Sequence, residues 1–208
     1  MNQQERCSWA NSSPLEQTYH DHEWGVPKHE DLALFELLSL ESMQAGLSWS
    51  TILAKRETLN KGYDQFNPEV IATYDQQKID ELLADPGVIR HKLKIAATIS
   101  NAQRFLEIQK EYGSFDQFIW TYVNHRPINN LWSNITQVPA TSDLSVKISK
   151  DLKKIGFKFV GPTTIYSFLQ AAGLINDHVV TCFRNDQTSY RVLYKGLPVP
   201  LCSDDRWS

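Results

Sequence analysis

Ser145-Val-Lys-Ile-Ser-Lys-Asp-Leu-Lys-Lys-Ile-Gly156-Phe-Lys-Phe-Val-Gly161-Pro162-Thr-Thr-Ile-Tyr-Ser-Phe-Leu-Gln-Ala-Ala-Gly173 holds the most informative organisation in the chain. Ile148, Leu152 and Ile155 recur at the spacing of one helix face, and Ile165, Phe168, Leu169 and Ala172 do so again after the glycines. The pattern predicts two short helices joined by a tight, glycine-bearing hairpin. Gly161-Pro162 would open the second helix with its first N–H groups exposed, an arrangement that accepts an anion such as a DNA phosphate. Lys147, Lys150, Lys153, Lys154 and Lys158 add positive charge to the same segment, opposed only by Asp151. Read by itself, the segment is equally an ordinary αα-hairpin with a solvated lysine face.

Upstream, the helical reading continues. Leu34, Leu37, Leu38 and Ala45 lie on one face of a helix that Gly46 stops, and Ser48 is placed to cap the next. Asn67-Pro68 marks a further start, and Asp85-Pro86-Gly87 is a turn. A long helix then runs to about Tyr112 and is closed by Gly113, after which Ser114-Phe-Asp-Gln117 reads as a capping box. Residues 125–143 read as loop, and there is no sustained strand alternation or repeat. The fold class is all-α. With 208 residues, 41% of them hydrophobic, the chain supports one domain with a true core, expected over 1–182, followed by a flexible tail over 183–208.

Composition excludes several function classes. A net charge of -3 rules out a uniformly basic coat for nucleic acid, so any DNA contact must use a local basic face. Arg90, His91, Lys92 and Lys94 form a second basic cluster that the sequence alone does not place on the hairpin's side. No apolar run is long enough to span a membrane, and no apolar stretch follows the polar N-terminus as in a signal peptide. Three cysteines are too few, and odd in number, for a disulfide framework, which fits a reducing cytoplasm. Cys202 reads as a free thiol in the tail.

Two constellations bear chemistry. Cys7 and His20 near one end, and His178 and Cys182 far along the chain, have donor types that suit a four-coordinate Zn²⁺. If His178 and Cys182 stood on a helix they would share a face at i and i+4. Such a site would be closed and structural, fastening the N-terminal segment to the last helix; four protein ligands would leave no open position for a zinc hydrolase. The alternative is a pair of half-buried residues and a free Cys7 thiol. The second constellation is Glu41, which falls on the apolar face of its own helix and therefore needs a partner or a ligand. Tyr19, Trp24 and Trp49 read first as core aromatics, yet a carboxylate with aromatic walls also suits a flat cation.

Cys7-Ser-Trp9, Tyr19-His-Asp-His-Glu-Trp-Gly25, Leu40-Glu-Ser-Met-Gln-Ala-Gly-Leu-Ser-Trp49, Phe157-Lys-Phe-Val-Gly161 and Asn176-Asp-His-Val-Val-Thr-Cys182 together resemble the 3-methyladenine DNA glycosylase I family. This is a bacterial, zinc-containing branch of the helix–hairpin–helix glycosylase superfamily. The resemblance runs in order from about Glu5 to Cys182. It implies Cys7, His20, His178 and Cys182 as zinc ligands and Glu41 as the carboxylate that recognises the base. It implies a base pocket lined by Tyr19, Trp49 and Trp9, with the base held between Tyr19 and Trp49. Gly46 and Leu47 would plug the gap left by a flipped nucleotide, and Lys158, Val160, Gly161 and Thr163 of the hairpin would contact DNA. The implied partner is double-stranded DNA, met by a monomer without nucleotide cofactor, and the implied reaction is hydrolysis of the N-glycosidic bond of N3-methyladenine without lyase activity. In the superfamily a catalytic Asp often follows the hairpin; here that place holds Asn176 and Asp177. The chain departs from the family pattern at Glu16, where a second pocket tyrosine is expected, and has no recognisable counterpart after Cys182. The Glu16 departure leaves open a non-catalytic, zinc-stabilised DNA-binding protein with an altered pocket.

Overall fold

The computed structural model describes residues 5–185. Among them the chain is helical, as the periodicity predicts: α1 (Pro14–His22), α2 (Asp31–Gln44), α3 (Trp49–Gly62), α4 (Pro68–Ile71), α5 (Gln76–Ala84), α6 (Lys92–Tyr112), α7 (Phe115–Thr121), α8 (Asp143–Ile155) and α9 (Pro162–Ala171). The loop expected over 125–143 contains one short strand, Ile128–Asn129, which pairs in parallel with Ile175–Asn176. Among the described residues no helix is long and apolar enough to cross a membrane.

The caps explain the boundaries. Ser48 accepts from Thr51 N–H, and Asn67 from Glu69 N–H ahead of Pro68. Gly113 closes α6 at φ 87°. At α7 only half of the expected box forms: Ser114 accepts from Gln117 N–H, while the N–H groups of Phe115 and Asp116 donate to the distant Asp31 carboxylate at 2.8 Å each. A long-range carboxylate thus satisfies the first two N–H groups of α7, and it joins the start of α2 to the start of α7.

The predicted hairpin is formed by α8 and α9. A Ser142–Ser145 capping box opens α8, and Gly156 ends it in the left-handed conformation at φ 110°. Ile148, Leu152, Ile165, Phe168 and Leu169 are buried together in the main core, while Lys150, Lys153, Lys154 and Lys158 stay exposed. α9 also packs on α2, which brings the hairpin beside Glu41. At the end of α9, Gly173 has φ 74°, and a Cβ there would lie 2.4 Å from the Pro27 nitrogen. Only glycine allows the 26–28 loop to lie on this turn, where Lys28 N–H donates to Ala172 O.

Residues 183–185, expected at the head of a tail, are packed instead. Phe183 N–H donates to Glu5 O, and Asn185 is buried with its amide donating to His178 O. These short bonds to both ends of the domain give the three residues a fixed place. The rest of the expected tail, with Cys202, lies outside the described residues.

Candidate active site

The four predicted metal ligands meet. Cys7, His20, His178 and Cys182 are all buried, and their donor atoms lie within 4.8 Å of one another. Cys182 Sγ is 3.4 Å from His20 Nε2 and 3.5 Å from His178 Nδ1, and Cys7 Sγ is 3.7 Å from His178 Nδ1. With Zn–S near 2.3 Å and Zn–N near 2.0 Å, a tetrahedral site has donor–donor edges of about 3.4–3.8 Å, and these three separations fall within that range. The outer nitrogens are also held: His20 Nδ1 lies 2.9 Å from Asp21 Oδ1, and His178 Nε2 lies 3.3 Å from Trp24 O. Arg6 forms a bidentate pair with that same Asp21. Burial lowers the pKa of His178, and hydrogen bonds from Cys7 first, then from the two histidines, hold the Cys182 thiol below its ordinary value. Neutral imidazole and thiolate are the forms that coordinate metal. The cluster can hold a metal ion, and its four protein donors leave no position open.

One expectation about this cluster fails. His178 and Cys182 are not on a helix; they flank a turn closed by Cys182 N–H to Val179 O. The N-terminal segment is therefore joined to a loop beyond α9 rather than to the last helix.

Beside the cluster lies a cavity of about 350 Å³, lined by Trp9, Tyr19, Trp24, Glu41, Gln44, Trp49, Ile135, Val138, Ser167 and Gln170. Its volume lies within the usual range for small-molecule pockets. α2 presents Glu41 to it, α1 presents Tyr19, and Trp49 stands at the first position of α3. Glu41 is 5% exposed, and burial pushes its carboxyl up to about 8. Glu41 Oε2, Tyr19 Oη and Trp49 Nε1 are buried and have no hydrogen-bond partner. Three unpaired polar atoms around one cavity are costly to the empty protein and mark where a polar ligand belongs.

Two further expectations about the pocket need correction. Tyr19 and Trp49 do not form opposing jaws: their ring centres are 5.3 Å apart at 52°, a distance at which the two rings touch each other. They make one continuous wall, against which a flat ring must lie. Glu16 does not line the cavity. It sits in the first turn of α1, where its N–H donates to Ser13 Oγ and its carboxylate accepts from the same hydroxyl, each at 3.2 Å. Helix capping accounts for this carboxylate, and the position serves α1 rather than the base wall.

The cavity continues into a groove bounded by Ala45, Gly46, Leu47, Thr163 and Thr164, with Glu41, Gln44 and Ser167 common to both. Gly46 (φ 78°) and Leu47, 39% exposed, thus face the first turn of α9 across the pocket mouth. Gly161 caps α9 with no side chain and with open space where a Cβ would stand; Thr163 and Lys158 are exposed nearby in sequence. Val160 is different from its expected role: the whole residue is buried and its carbonyl accepts from Ser149 Oγ, which makes it part of the hairpin's packing.

Sequence reasoning missed three supports. Asp177 is buried and accepts from Asn130, Trp132, Tyr166 and Gln170 at 2.6–2.7 Å, which removes it as a general base and holds the loop that carries Ile135 and Val138. Asn176 is likewise committed, to Asn129 and to Asn185 O. Asn101 of α6 fastens both the N–H and the carbonyl of Lys158.

The site is an all-α helix–hairpin–helix frame with a walled acidic pocket that opens between the Gly46-Leu47 turn and the start of α9. The sequence profile of the methyladenine glycosylase family matches residues 9–185. DNA-3-methyladenine glycosylase 1 of Escherichia coli (strain K12) is 46% identical over 178 residues, which is 86% of this chain and 95% of that one. The solved 3-methyladenine DNA glycosylase I of Staphylococcus aureus aligns at TM-score 0.84 and 42% identity, covering 86% of this chain and 96% of that chain. A substituted form of 3-methyladenine DNA glycosylase I, solved in complex with 3-methyladenine, aligns at TM-score 0.84 and 41% identity over 86% and 97% of the two chains. The chain belongs to the methyladenine glycosylase family. The family match reaches three residues past Cys182, in agreement with the packing of 183–185.

Proposed function

We propose that the protein is a DNA repair glycosylase that hydrolyses the N-glycosidic bond of N3-methyladenine in double-stranded DNA, acting as a monomer in the bacterial cytoplasm and leaving the sugar–phosphate chain uncut. The observation that carries this reading is the unpartnered Glu41 carboxyl in a purine-sized, aromatic-walled cavity. The target base is unreachable in the stack, so it is extruded. Its edge meets Glu41, its face lies on the Tyr19–Trp49 wall, and Leu47 fills the vacated space. Exposed hairpin lysines and the N-terminus of α9 hold the phosphates.

Alkylation at N3 has already made the base a cationic leaving group. When C1′–N9 breaks, N9 keeps the bonding pair, the purine departs neutral, and water adds to the oxocarbenium-like C1′ and loses its proton to solvent. No general acid is required, in keeping with an Asp177 that is fully engaged elsewhere. Unmodified adenine lacks both the charge that Glu41 attracts and the activated bond, so selectivity arises from each. Cys7, His20, His178 and Cys182 are the residues that would hold Zn²⁺, which when bound supplies a cross-link rather than reactivity.

The rival reading, a DNA-binding protein with an altered base pocket, takes Glu16 in place of a tyrosine as loss of the pocket; Glu16 is engaged with Ser13 outside the cavity, and the cavity keeps Tyr19, Trp49 and Glu41 around it. Methylated duplex DNA incubated with the protein should release free 3-methyladenine. Tight duplex binding with no base released would support the rival.

A further inference from the structure

Lys94 is buried, 6% exposed, in the first turn of α6, and its ammonium donates to two carbonyls, Met43 O at 2.8 Å and Ala45 O at 2.6 Å. Both acceptors belong to the C-terminal end of α2, where backbone carbonyls lack helical partners and the helix dipole is negative. Met43 and Ala45 immediately precede Gly46 and Leu47. Burying an ammonium is expensive, and burial accordingly lowers the Lys94 pKa. A helix end can usually be closed by glycine or water, so a buried cation here calls for a reason beyond capping.

The reason lies in what else α6 holds. Asn101, seven residues along the same helix, fastens the hairpin through Lys158, and Phe159 of the hairpin lines a small cleft with Lys94, Met43 and Asn101. At 1.5 Å per residue, the two fastening points are about 10 Å apart along a rigid helix. One strut therefore fixes the wedge turn relative to the phosphate-binding hairpin.

We propose that Lys94 is a positioning residue for base extrusion: through Met43 O and Ala45 O it holds the Gly46-Leu47 turn in the raised, ordered form that enters the duplex, at a set distance from the hairpin. This deepens the glycosylase reading and rests on it. Leu47 is exposed and Gly46 is unhindered; Leu47 N–H to Gln44 O closes the turn locally, and Lys94 ties its start to α6. Lys94 does not line the base pocket. Its effect belongs to flipping rather than to base recognition or bond cleavage.

The experiment compares single-turnover excision of 3-methyladenine from duplex and from single-stranded methylated oligonucleotides, for wild type, Lys94→Met, Lys94→Gln and Lys94→Arg. Thermal melts and binding of free 3-methyladenine are measured alongside. A single strand has no opposing stack to invade. Lys94→Met and Lys94→Gln should lose tenfold or more on the duplex and less than threefold on the single strand, with free-base binding unchanged and Lys94→Arg partly recovered. In combination with Leu47→Ala, a variant at an exposed position, the two duplex losses should not multiply, because both act through one turn. Equal losses on both substrates, weakened free-base binding in step with excision, or multiplicative losses with Leu47→Ala would overturn the proposal. If Lys94→Met and Lys94→Gln do not fold, retained duplex excision by Lys94→Arg in the absence of any Leu47→Ala effect would overturn it too. Failure of the wild type to release base from either substrate would instead overturn the glycosylase reading.

Discussion

Replacing Glu41 by glutamine removes a carboxyl whose protonation is linked to folding. In the empty protein burial pushes this group from 4.5 up to about 8. Between those values the folded chain keeps a proton that the unfolded chain has released, so stability falls as pH rises through that window. A shift of that size is worth about 5 kcal/mol if fully expressed, and the part lost between pH 5 and pH 8 is about 3 kcal/mol by the same relation. For a chain of this length each kcal/mol moves the melting temperature by about 2–4 °C. The wild type should therefore melt roughly 6–12 °C lower at pH 8 than at pH 5 from this group alone. Glu41→Gln should lack that increment, although its amide carries a pH-independent cost of about 1–3 kcal/mol if unpaired. Melts of both proteins across pH 5–8, without ligand, give the difference directly. Parallel pH dependences would show that the carboxyl is already paired, and the argument that it waits for a cationic partner would fail. The same variant should lose excision of 3-methyladenine, because the acid that ionises against an arriving cationic base is gone.

Other expectations follow from single contacts. Gly173→Ala should destabilise by more than about 1 kcal/mol, read as a lower melting temperature, because its Cβ would collide with Pro27 in a left-handed turn. Lys158→Ala should weaken duplex binding at every sequence and reduce the slope of log affinity against log salt by about one, as titrations at several salt concentrations would show. Cys7→Ser should lower bound zinc, measured by elemental analysis, and should melt earlier than wild type, because one ligand of a buried four-donor cluster is weakened.

Much of the fold was legible because it is written in local signals. Ser48, Asn67-Pro68 and Gly113 act within a turn of themselves, and the hairpin's two stripes declare their own period. The elements that sequence misread depend on distant partners. Asp31 caps α7 from more than eighty residues away, and Lys94 appears as one more surface cation until α2 is packed against it. Cys7, His20, His178 and Cys182 could be gathered from their chemistry, yet the turn that carries the last two was invisible in their spacing. Glu16 looked like a change to the pocket because the family resembled has a pocket tyrosine at that place; the Ser13 hydroxyl three residues earlier was the clue to its other task.

Trp9 and Trp24 belong to two neighbourhoods at once. Trp24 stands 4.5 Å from the His178 ring and Trp9 5.3 Å from the His20 ring, and both indoles also border the cavity that holds Glu41. The same slabs of indole are thus the outer casing of one chamber and the inner panelling of the other. If the cluster holds Zn²⁺ as proposed, removing the ion should loosen that shared partition, and protein short of zinc should bind 3-methyladenine more weakly than loaded protein with the same pocket residues.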